Sequence, residues 1–172
     1  MNARTSTQAT MLVGTLVLLL SAVTHADSPS DLELHDPWVR EVPPVSESSA
    51  AYVRIENTGS ADRALVSADN DRFERIELHE SRVDGEGTMT MVHLDEIPLA
   101  AGETTALEPG GYHIMLIDRI GEALSEEEGD TLTISLVFDD GQRVDIEAPV
   151  MRHGPDGEDM DHHEMDDHNM EH

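Results

Sequence analysis

The feature that most restricts the fold is the spacing of turn-forming residues. From Asp31 to Val150, short runs of alternating apolar and polar residues are cut at intervals of about eight to twelve residues, with little helical periodicity between cuts. Residues 51–56 alternate through Tyr52-Val53-Arg54-Ile55 and stop at Asn57-Thr58-Gly59. Comparable runs fall at 32–34, 38–40, 64–67, 73–79, 88–94, 104–107, 112–117, 132–138 and 144–146. Asp84-Gly85-Glu86-Gly87 and Asp139-Asp140-Gly141 have hairpin chemistry, and Pro109-Gly110-Gly111 is a tight turn launching the next run. Asp36-Pro37 is expected to interrupt the first strand region, Val42-Pro43-Pro44 to form a loop, and Pro98 with Gly102 to break the chain. This pattern predicts an all-β protein, an antiparallel sandwich.

At 172 residues the chain has room for one domain with a real core and is too short for two. Residues 1–26 read as a secretory signal, with Arg4, an apolar run at 11–23 and Thr24-His25-Ala26 before Asp27. The run is shorter than the roughly 20 residues of a membrane span. There is no cysteine, so a lipid anchor is not expected. The mature protein is expected in the periplasm, without stable membrane association. Residues 27–151 form the sandwich domain, and 152–172 a tail of different character.

Several soft donors lie on the predicted strands. His79 ends one run, His113 and Met115 lie on another, and Met89, Met91 and His93 lie on a third between them. Thioether sulfur selects Cu(I), and imidazole suits copper in either state. Such a set binds copper without a thiol, which matters where thiols are lost to disulfides. Met89 is read as packing, and His93 as an outer-shell or surface residue. No nucleophile–base pair, phosphate loop or paired-carboxylate constellation stands out, and no enzymatic activity is expected.

His79 is followed by eleven residues and Met91, then twenty-one residues and His113, then one residue and Met115. This spacing resembles the ligand pattern of the PCu(A)C-type periplasmic copper chaperones. The stretches "PWVREVPP", "AAYVRIENTG", "IELHE", "MTMVHLDEIPLAAGETTALEPGGYHIMLI" and "GDTLTISLVFDDG" are similar to that family as well. The resemblance implies a cupredoxin-like Greek-key sandwich and one Cu(I) held by His79, Met91, His113 and Met115. It further implies delivery to the copper A centre of cytochrome c oxidase subunit II, alongside Sco-type proteins. Ser81 stands where the family often has a further methionine, so a thioether contact from that position is not expected. A blue-copper electron carrier needs a Cu–thiolate bond, which a chain without cysteine lacks.

Beyond the turn-rich 152–157, Met160, His162, His163, Met165, His168, Met170 and His172 alternate with acids and with no core-forming residue. Such a segment is expected to be a disordered C-terminal tail, and short His-rich tracts favour metal. Its histidines and carboxylates suit Cu(II). Two other roles remain open from sequence: a periplasmic copper-sequestering buffer, and a non-metal adhesion or ligand-binding sandwich.

The chain carries 37 acids against 10 basic residues, all of them arginine, for a net charge of −27. Such a surface repels nucleic acid and anionic lipid and attracts cations. Acid excess without lysine reads as adaptation to high salt, where screening quenches self-repulsion. Thermal unfolding followed by circular dichroism is therefore expected to move to higher temperature as NaCl rises toward molar levels. A midpoint that stays or falls would contradict a halophilic origin.

Overall fold

The computed structural model describes residues 31–155, apart from Asp84 and Glu86. The secretory segment 1–26 and the tail donors Met160 to His172 lie outside the described residues. Ten strands follow one another: β1 (Leu32–Arg40), β2 (Ser49–Asn57), β3 (Arg63–Asp69), β4 (Phe73–Val83), β5 (Met89–Leu94), β6 (Ile97–Leu99), β7 (Thr104–Leu107), β8 (Tyr112–Arg119), β9 (Thr131–Phe138) and β10 (Arg143–Met151). Among the described residues there is no helix.

Period-two patterning sets the faces. In β9, Leu132, Ile134, Leu136 and Phe138 enter the core while Thr131 and Thr133 stay in solvent. Ala51, Val53 and Ile55 do the same in β2. The strands hydrogen-bond in the order β5-β4-β8-β7-β2-β1-β10-β9-β3-β6. The two halves of this ribbon pack face to face. Val53, Ile55, Ile114 and Leu116 from one half share a core cluster with Leu65, Ile134, Leu136, Phe138 and Ala148 from the other. The result is the cupredoxin-like Greek-key sandwich. The pairing is antiparallel except at two places: β1 with β10 (Val39↔Val150), which joins the halves, and β7 with β8 (Leu107↔Tyr112).

Two expected breaks are strands instead. Asp36-Pro37 lies inside β1, where the register shifts between His35 and Trp38 and Asp36 adopts a φ of +48°. The extra length is absorbed as a bulge rather than ending the strand. Pro98 is the middle residue of β6, opposite Ala64 of β3. β6 is the last strand in the order, and an edge strand tolerates a residue with no N–H to donate. β4 also runs past the expected end at His79 to Val83, where it turns into β5.

The end of β2 is pinned by Asn57, which is 0 % exposed. Its Nδ2 donates to the carbonyls of Ala61 and Leu99, each at 2.9 Å, and its Oδ1 accepts from the Gly59 N–H at 3.0 Å. Replacing it by alanine leaves buried backbone groups without partners. Asn57→Ala is expected to cost about 2–3 kcal/mol in urea unfolding. An unchanged midpoint would contradict this role.

Candidate metal centre

β4 lies between β5 and β8, and its register with both decides which side chains meet. His79 faces His93 of β5 on one side and His113 of β8 on the other. Ser81 faces Met91, and Glu77 faces Met115. These positions alternate with the core residues Leu78 and Ile114, so they share the outer face of the sheet. His79 is the hub. Both thioethers stand on its diagonals, about 7–8 Å away along the sheet and within reach of long side chains. The rings of His79 and His113 are 5.7 Å apart, and those of His79 and His93 are 5.6 Å apart, edge to face.

His113 is the anomaly. It points outward, yet it is only 3 % exposed. His79 covers one side, and the ring of Tyr52 lies 6.5 Å away on β2, itself backed by Trp38 at 4.6 Å. Among the described residues three polar side chains are buried: Ser49, Asn57 and His113. Ser49 donates to the Arg40 carbonyl at 2.6 Å, and Asn57 is fully bonded. His113 is only half satisfied. Its Nδ1–H donates to the Gly111 carbonyl at 3.1 Å, while its Nε2 is buried with no partner. His79 has the same defect, with Nε2–H donating to Glu77 at 2.9 Å and Nδ1 buried without a partner. Buried polar atoms are rarely left unbonded, and two adjacent ones call for an explanation such as an ion. Two neutral nitrogens flanked by two thioethers form a set suited to a soft monovalent cation.

The remaining donors are arranged around this pair. Met91 is 58 % exposed and reaches into solvent, whereas Met115 is half-buried beside the histidines. Met89, expected to pack, is 59 % exposed. His93 is also exposed, with Nδ1 3.9 Å from Glu77. Glu77 accepts from Arg75 at 3.4 Å as well, and its carboxyl is held below the ordinary range chiefly by the hydrogen bond from His79. Sequence reading passed over Glu77 and Tyr52. Glu77 was signalled by its place two residues before His79, on the same strand face; Tyr52 carried no local signal. A second group, Glu33, His35 and Glu56, lies across β1 and β2, with His35 Nε2 3.5 Å from Glu56 and likewise buried without a hydrogen-bond partner.

The model of the family described as "Putative lipoprotein LpqE-like" matches residues 32–150. The chain belongs to the LpqE-like family. A relative from Leifsonia xyli subsp. xyli (strain CTCB07), "Putative lipoprotein Lxx21020", is 31 % identical over 152 residues, covering 86 % of this chain and 88 % of that one. Among solved structures, the copper-bound PCuAC domain from PmoF2 superposes with a TM-score of 0.58 at 21 % identity, over 70 % of this chain and 92 % of the domain. Apo-DR1885 from Deinococcus radiodurans gives 0.55 at 24 % identity, over 87 % and 96 % of the two chains. The Cu(I) form of DR1885 gives 0.52 at 28 % identity, over 67 % and 75 %. This LpqE-like chain thus shares its fold with PCuAC domains.

Burial pushes the His113 imidazole below its ordinary 6.5, helped by the charge of His79 and opposed by the Gly111 hydrogen bond. In the unfolded chain the same ring takes up its proton near 6.5. Its contribution to stability is therefore complete above that pH and is lost as pH falls through the lower, folded value. Urea unfolding of the copper-free protein at pH 7.5 and 5.5 is expected to show a stability loss on acidification that is smaller in His113→Gln. An identical loss in both proteins would contradict the assignment.

Proposed function

We propose that this protein is an exported copper chaperone that takes up Cu(I) at His79, Met91, His113 and Met115 and releases it by ligand exchange. The observation that carries the reading is the pair of buried, unbonded nitrogens on His79 and His113, beside two methionines on one sheet face. The shared fold with a copper-bound PCuAC domain and with Cu(I)-DR1885 supports it. The description of the relatives as lipoproteins supports work outside the cytoplasm. Here the protein is a carrier and not a catalyst, with copper as its cargo. Met91, the most exposed of the four ligands, is the one an incoming acceptor displaces first. The acceptor proposed is the copper A centre of cytochrome c oxidase subunit II, directly or through a Sco-type protein. The tail donors Met160, His162, His163, Met165, His168, Met170 and His172 collect Cu(II) and raise its concentration beside the domain through a tether.

Competition with a chromophoric Cu(I) chelator tests the site. The double variant Met91→Ala, Met115→Ala is expected to lose about tenfold or more in Cu(I) affinity, with circular dichroism unchanged because neither side chain belongs to the core cluster. Deleting 152–172 is expected to remove most Cu(II) binding and to leave the Cu(I) site. An unaltered Cu(I) affinity in the double variant would remove the thioethers from the site. Mixing Cu(I)-loaded protein with apo subunit II separates delivery from sequestration: copper that moves supports a chaperone, and copper that stays supports a buffer.

A further inference from the structure

The two histidines face opposite constraints. A neutral imidazole has one N–H and one lone pair, so fixing the donor nitrogen also fixes the acceptor. The Gly111 carbonyl can only accept, which places the proton of His113 on Nδ1 and leaves Nε2 bare. An ionised carboxylate likewise only accepts, so Glu77 places the proton of His79 on Nε2 and leaves Nδ1 bare. On both rings the nitrogen deduced to be bare is also the one that lies buried without a partner. At each ring the acceptor holds the proton on one nitrogen and leaves the other with a lone pair and no partner.

We propose that Glu77 is the positioning residue of this site. By accepting a hydrogen bond from the Nε2–H of His79, and being held in turn by Arg75, it presents Nδ1 to copper, while the Gly111 carbonyl presents Nε2 of His113. This rests on the copper-carrier reading above and adds the ligating atoms and the group that selects them. Carboxylate or carbonyl partners on the far nitrogen orient metal-binding histidines and raise their basicity. Arg75 reaches Glu77 at 3.4 Å and also donates to Asp118 at 3.1 Å, which anchors the carboxylate through the oxygen that does not accept from His79.

The rival reading treats Glu77, His79 and His93, whose donor atoms lie within 4.8 Å of one another, as the metal ligands themselves. Ligation through His79 Nε2 would need the ring proton on Nδ1, where a buried donor has no acceptor. It would also use the nitrogen already committed to Glu77 at 2.9 Å. His93 is 59 % exposed, and Glu77 draws on it only at 3.9 Å. The group is better described as the outer shell of the copper site than as a second one.

The test is long-range proton–nitrogen NMR on the full-length protein with labelled histidines, at pH 8, before and after one equivalent of Cu(I). The copper-free spectrum is expected to show the Nε2–H tautomer at His79 and the Nδ1–H tautomer at His113. Copper is expected to move His79 Nδ1 and His113 Nε2. Glu77→Ala is expected to lower Cu(I) affinity about 10–100-fold, and Glu77→Gln, whose oxygen can still accept the hydrogen bond from Nε2–H, to recover part of that loss. Copper shifts on His79 Nε2 and His93, or full affinity in Glu77→Ala, would overturn the role of Glu77 while leaving a copper carrier. Cu(I) that moves neither His79 nor His113 in the wild-type protein would overturn the carrier reading and this proposal together.

Discussion

The site depends on the pairing of β4 with β8 at His79↔His113. Because side chains alternate, a slip of one residue in that register would send His79 into the core and Leu78 into solvent, and would part it from His113. The register is held from beneath, where Leu78 and Ile114 pair and are both buried. The same alternation puts Met115 and Met91 on the outer face, one on each diagonal of His79. Core packing and site assembly are thus two faces of one ladder. The hydrophobic effect fixes the inner face, and the donors follow on the outer.

Burial of His113 adds the chemistry. Tyr52 and Trp38 continue a row of rings across β2 and β1, so the histidine lies at the closed end of a surface that opens toward Met91 and His93. A bare imidazole nitrogen in that position stays neutral to lower pH than an exposed one. In the proposed site a cation would meet two imidazole nitrogens at the closed end and thioethers at its side. The wider surface is strongly acidic and concentrates cations around it. In the proposed copper site, general attraction comes from carboxylates, and selection comes from soft, uncharged donors.

Much of this was legible in the sequence, for identifiable reasons. The β architecture follows from period-two runs and their turn residues, and the hairpin at 84–87 correctly joined β4 to β5. The candidate donors were visible as residue types on neighbouring runs. What escaped were features set by partners distant in sequence. Pro98 could be a strand residue only because β6 is an edge, and Asp36-Pro37 could stay in β1 only by bulging. Met89 looked like packing because methionine usually is, but β5 is also an edge and its outer face is open. Tyr52 reaches His113 from β2, and no local pattern announces a cover supplied by a strand about sixty residues earlier. Glu77 needed only the strand alternation to be taken one step back from His79.

The most direct measurement is X-ray absorption at the copper edge of the full-length protein loaded with one equivalent of Cu(I). A site at His79, Met91, His113 and Met115 predicts a first shell containing sulfur and nitrogen together, with the edge of a monovalent ion. A shell of nitrogen and oxygen alone would contradict the account, because it would place the metal on carboxylates or tail histidines and leave the buried nitrogens unexplained.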